Sequence, residues 1–133
     1  MQFLFDTDIC ICLIKERPPA VIERFRRHSP KDCAISTITF FELQYGVEKS
    51  QYRQRSEAAL AKFLLPLNLI DLDISAAREA AAIRVELEKK GMPIGSYDLL
   101  IAGIARSRDM ILVTNNSEEF GRVAHLHLEN WAH

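Results

Sequence analysis

The sequence has no long apolar run, no charge excess of one sign and no cysteine framework. No stretch approaches the ~18 consecutive apolar residues of a membrane-spanning helix, so none is expected. The three cysteines, Cys10, Cys12 and Cys33, are an odd number without disulfide-scaffold spacing. They read as reduced thiols, and they point to the cytoplasm. The opening Met1-Gln2-Phe3-Leu4-Phe5-Asp6 lacks the basic stretch of a secretory signal. Five Gly and five Pro are scattered through 133 residues, so no flexible linker divides the chain, and one domain over 1–133 is expected. With 17 basic and 18 acidic residues the formal charge is -1, which argues against a strongly basic nucleic-acid coat protein. A hydrophobic share of 48% and a charged share of 26% are ordinary globular usage.

Short apolar runs alternate with helical periodicity. Phe3–Phe5, Ala34–Ser36, Leu67–Leu72, Met110–Val113 and Leu126–Leu128 read as strands. Helices are expected from Ile9 to Lys15, Pro19 to Arg27, Thr39 to about Lys49, Arg53 to Leu65, Ser75 to Lys90 and Tyr97 to Arg108. Ser75 and Ser96 are candidate helix caps. This alternation predicts an α/β fold with a central, mainly parallel β-sheet flanked by α-helices. In such sheets the binding crevice lies beyond the C-terminal strand ends.

Acids stand at those ends. Asp6 follows the first strand, Glu42 lies in the helix after the second, and Asp98 lies in the first turn of its helix. Asn116, with Glu119 behind it, follows the strand ending at Val113-Thr114. Each has a bland explanation. Asp6 or Asp8 can cap a helix, Thr39-x-x-Glu42 and Asn116-x-x-Glu119 have capping-box form, and Asp98 suits a helix dipole. Capping alone does not account for a carboxylate at successive strand ends. Crowded carboxylates repel one another unless a cation neutralises them. An oxygen-only set suits Mg²⁺ or Mn²⁺, and such ions promote attack of water on phosphorus. Metal-assisted hydrolysis of a phosphoester or phosphodiester is the chemistry these residue types suggest.

The motifs Phe5-Asp6-Thr7-Asp8-Ile9, Ser36-Thr37-Ile38-Thr39 with Glu42-Leu43-x-x-Gly46, Gly91-x-Pro93-Ile94-Gly95-x-x-Asp98-x-x-Ile101-Ala102-Gly103, and Val113-Thr114-Asn115-Asn116-x-x-Glu119-Phe120 follow in order. Together with Leu128-Glu129-x-Trp131, the set resembles the PIN-domain ribonucleases and, within them, the VapC toxins of toxin–antitoxin pairs. The resemblance spans essentially the whole chain. It implies a PIN fold and a metal-dependent endoribonuclease held inactive by a VapB antitoxin. Toxin homodimers within a larger toxin–antitoxin complex are also implied. Likeness to enterobacterial VapC proteins implies a tRNA substrate, with the initiator tRNA anticodon stem-loop foremost. Asp6, Glu42 and Asp98 take the metal-site positions. The fourth acidic position falls on the amide Asn116, with Glu119 the nearest carboxylate. Asp8 stands where relatives commonly carry Asn. Thr7 and Thr114 are candidate hydroxyl partners of the ligand carboxylates.

Residues 15–31 place Lys15, Arg17, Arg24, Arg26, Arg27 and Lys31 against only Glu16 and Glu23. Lys15, Arg17, Arg24, Arg27 and, elsewhere, Arg106 are therefore candidate contacts to RNA phosphate. Tyr97 is a candidate base-stacking ring beside Asp98. Two other readings stand beside the nuclease. Asp6-Thr7-Asp8 after a strand has the form used by haloacid-dehalogenase-like phosphatases and receiver-type phosphoacceptors. Asn116 in an acidic position also fits a catalytically inactive PIN-like interaction module.

Overall fold

The apolar run Phe3–Phe5 forms β1, buried on both faces at the centre of the sheet. The computed structural model describes residues 2–132. In it the other strands are β2 (Cys33–Ser36), β3 (Asn68–Ile70), β4 (Ile111–Val113) and β5 (His127–Glu129). They align in the order β3-β2-β1-β4-β5, and every described pairing is parallel. The expectation of a mainly parallel sheet thus becomes a wholly parallel one. Each strand is too short to hold a core alone, and the crossover helices cover both faces.

Side-chain alternation divides the core in two. Leu4, Ala34 and Leu112 point toward α5 (Ile74–Lys89) and α6 (Ser96–Ser107), against Ile83, Leu87, Ile101 and Ile104. Phe3, Phe5, Cys33, Ile35 and Val113 point the other way. They meet α1 (Thr7–Lys15), α2 (Pro19–Arg26), α3 (Thr37–Glu48), α4 (Arg53–Leu64) and the buried Trp131. The remaining helix, α7 (Ser117–Phe120), is a single turn after β4. Cys10 and Cys33 are buried in the second cluster as small apolar residues.

Helices α5 and α6 approach closely because Gly103 has no side chain. A methyl group there would sit 2.7 Å from both the Ala76 carbonyl oxygen and Ala80 Cβ. Ala76 and Ala80 of α5 are therefore spent on packing within the fold, while Ala77 and Ala81 stay exposed.

Three caps differ from expectation. Asp73, not Ser75, caps α5, accepting from the Ala76 N–H at 2.9 Å. Ser36, not Thr39, caps α3, its hydroxyl accepting from the Thr39 N–H at 3.0 Å. Ser96 is the first residue of α6, and Gly95 precedes it without a side-chain cap. In the first two cases the strand or extended segment runs directly into the helix, so the cap falls two or three residues earlier.

Candidate functional site

The parallel order brings the C-terminal ends of β1, β2 and β4 side by side, and α1, α3 and α7 start there. Asp6 is the hinge between β1 and α1. Its Oδ1 caps α1 by accepting from the Ile9 N–H at 2.9 Å. Its Oδ2 accepts from the Thr114 hydroxyl at the end of β4, and Thr114 Oγ1 in turn accepts from the Asn116 N–H at 2.9 Å. Asp6 is only 4% exposed. Burial pushes its carboxyl up to about 6, against the two hydrogen bonds, and the nearby charges of Asp8 and Glu42 add to the rise.

Glu42 lies in the second turn of α3. It is oriented by Thr7, whose hydroxyl donates to Glu42 Oε1 at 2.7 Å, with Thr39 Oγ1 3.3 Å from the same hydroxyl. The expected capping role of Glu42 is therefore replaced by this contact between α1 and α3. Thr7 and Thr114 each donate a hydrogen bond to a carboxylate of the cluster. Asp8 is exposed on α1 and acts on Asp6 through its charge.

Asp98 stands in the first turn of α6. Burial, a hydrogen bond to Glu119 and the charges of Glu119, Asp6 and Glu42 push its carboxyl up to about 7. Glu119 is held lower, first by the Gly95 N–H at 2.9 Å on Oε1 and also by the Asn116 amide at 3.0 Å on Oε2. Asn116 is the cap of α7, accepting from the Glu119 N–H at 3.4 Å. The amide thus positions the carboxylate, and the fourth acid beside Asp98 is Glu119. The Gly95 contact escaped the sequence reading, since it joins residues 24 apart. The Ser36 cap was visible as a hydroxyl one turn before Thr39.

Asp6, Glu42 and Asp98 make no ion pair among the described residues. Asp6, Glu42 and the hydrogen-bonded pair Asp98–Glu119 put an all-oxygen set at one end of the sheet, which fits a hard divalent cation. No three such side chains among the described residues converge closely enough to form a closed cage.

The basic candidates separate. Arg106 is not a phosphate contact. It is 10% exposed, donates to Glu79 at 2.6 Å and Glu86 at 3.1 Å, and also reaches the Ala124 carbonyl at 3.1 Å. It ties α6 to α5 and to the chain before β5. Arg24 pairs with Glu129 at 3.2 Å and lies over the Trp131 ring, and Arg27 pairs with Glu23 at 3.1 Å. Lys15 and Arg17 are exposed and have no ion-pair partner among the described residues.

The PIN domain model matches residues 3–126, so this parallel sheet with acids at its C-terminal end is that of a PIN-domain protein. The chain is 46% identical over 132 residues to the tRNA(fMet)-specific endonuclease VapC of Shigella flexneri, covering 99% of each. Its structure matches the DNA-bound VapBC complex of Salmonella typhimurium with a TM-score of 0.92 and 42% identity, over 98% of each chain. VapBC2 of Rickettsia felis, bound to a DNA fragment from its promoter, also gives 0.92, at 38% identity over 98% of this chain and 99% of that one. The chain belongs to the VapC ribonucleases of the PIN-domain family. The phosphoacceptor alternative loses its footing here. No ion pair among the described residues joins Asp6 to a lysine, and the relatives this chain matches are ribonucleases.

Proposed function

We propose that this protein is the metal-dependent endoribonuclease toxin of a VapBC pair, acting in the cytoplasm as one PIN domain. We propose tRNA as its substrate, the initiator tRNA anticodon stem-loop first, and a VapB-type antitoxin as its inhibitor. The observation that carries the chemistry is the carboxylate cluster of Asp6, Glu42, Asp98 and Glu119, in which burial and crowding push Asp6 to about 6 and Asp98 to about 7. The relatives' names support the substrate and partner.

Asp6, Glu42 and Asp98 would hold Mg²⁺ or Mn²⁺, with Glu119 beside them. A bound cation supplies positive charge for the phosphate oxygens and lowers the pKa of its coordinated water. Thr114 and the Ile9 N–H fix the Asp6 carboxylate, and Thr7 fixes Glu42. Glu119, anchored on Gly95 and Asn116, orients Asp98 and offers a proton acceptor at its edge. Preorganisation of this kind spares reorganisation during reaction.

An apolar groove of about 350 Å³ adjoins Glu42, lined by Ile11, Ile14, Leu43, Val47 and Leu60 of α1, α3 and α4. Its continuity with the acidic site supports it as the place where an antitoxin segment lies. Lys15 and Arg17 remain the RNA-phosphate candidates. A homodimer within a larger complex is the assembly we propose. Mapping of cleaved RNAs after brief expression, with and without the antitoxin, tests the whole reading. One dominant tRNA cut that disappears with antitoxin is expected, and unchanged RNA pools would refute it.

A further inference from the structure

Helix α3 carries an exposed stripe that the metal site does not use. Phe41, Tyr45 and Lys49 follow at i, i+4 and i+8, so they share one face. Phe41 is 53% and Tyr45 59% exposed, and Lys49 Nζ lies 4.8 Å from the centre of the Tyr45 ring. Tyr97 of α6, 47% exposed, meets Phe41 edge-on with ring centres 5.6 Å apart. The two rings of this pair immediately precede Glu42 and Asp98 in the chain. The stripe thus begins at the acidic site and leads away from it for about 12 Å along α3.

We propose that Tyr97, Phe41, Tyr45 and Lys49 form the track for unpaired nucleotides on one side of the scissile phosphate. The track takes single-stranded RNA, with rings facing bases and Lys49 meeting a backbone phosphate. This proposal rests on the ribonuclease reading above. Its physical motive is charge. The carboxylate cluster repels an RNA backbone, so beside the site base stacking has to supplement the one ionic contact that Lys49 offers. Base stacking on aromatic rings supplies such affinity and tolerates any sequence. An edge-on aromatic pair leaves ring faces open for it. A second copy of the chain is the competing occupant. Three rings and a lysine are a small patch beside the roughly 800 Å² per partner of a stable interface.

The test uses the full-length protein and an anticodon stem-loop RNA whose cut site has been mapped. Phe41→Leu and Tyr45→Leu keep apolar bulk but remove the ring, and Tyr97→Phe keeps the ring. Steady-state cleavage in Mg²⁺ is compared with binding in EDTA, read by 2-aminopurine fluorescence beside the cut site. Phe41→Leu should raise KM about tenfold, lose the fluorescence quench and leave kcat and melting temperature near wild type. Tyr97→Phe should keep the fluorescence quench, with a smaller rise in KM than Phe41→Leu shows. An abasic nucleotide beside the cut should cost the wild type about tenfold and cost Phe41→Leu nothing more. Equal, additive losses from the abasic site in both proteins would overturn the track. So would a Phe41→Leu variant that binds RNA normally but changes sedimentation state, which would assign the stripe to a second copy. A wild-type protein that neither binds nor cuts RNA would instead refute the ribonuclease reading itself.

Discussion

Replacing Asp6 by Asn should stabilise the metal-free protein while abolishing its catalysis. The Asp6 carboxyl titrates at about 6 rather than 3.8, chiefly because it is buried. A raised folded-state pKa means that its contribution to stability is full below the ordinary value and is lost as pH rises through about 6. At pH 8 the cost of keeping this charge buried is about 3 kcal/mol. Asn keeps an oxygen to accept from the Ile9 N–H, so the cap of α1 survives. Its amide faces the Thr114 hydroxyl, whose bond to Asp6 is lost, so the net gain should be about 2 kcal/mol. For a chain of this length that raises Tm by about 7 °C. Thermal melts in EDTA at pH 8 and pH 4 measure it. The gain should appear at pH 8 and give way to a small loss at pH 4, where little burial cost remains to offset the missing Thr114 bond. A variant that melts lower at both pH values would refute the claim that burial of charge, not a structural bond, governs Asp6.

Other outcomes follow from the same geometry. Mg²⁺ should raise the wild-type Tm more at pH 8 than at pH 5, because Asp6 and Asp98 must lose protons to bind it, and the effect should vanish in Asp98→Asn. Arg106→Ala should destabilise by about 1–2 kcal/mol in urea titrations, through lost packing and hydrogen bonds while the partly exposed Glu79 and Glu86 stay solvated, and the salt dependence of RNA binding should stay unchanged. Gly103→Ala should cost about 1–3 kcal/mol by forcing α5 from α6, read in the same titration. Thr7→Val should lower kcat/KM about tenfold with little change in Tm, since it releases Glu42 without emptying the core.

The strands were readable because Phe3–Phe5 and Ile111–Val113 are apolar runs buried on both faces and stopped by polar residues. The caps were less so. Asp73 and Ser75, or Ser36 and Thr39, are equally good cap residues within one turn, and only the path of the preceding chain chooses between them. Asp6 and Glu42 were legible because parallel topology gathers the ends of β1 and β2, whereas Asp98 comes from the start of α6, which follows helix α5 and not a strand as the sequence pattern suggested. Glu119 was ambiguous with Asn116, since its anchor is a backbone N–H far away in sequence. Arg106 misled because a sequence shows its charge but not the two glutamates that α5 packs around it.

The central claim is that the carboxylate cluster cuts RNA through a divalent cation. Its most direct measurement is cleavage of purified initiator tRNA by the wild type, Asp6→Asn and Asp98→Asn, with Mg²⁺ or Mn²⁺ and with EDTA. The account predicts one discrete cut by the wild type with metal, none in EDTA and none by either variant, although both remain folded. Cleavage that persists in EDTA, or in both variants, would contradict it.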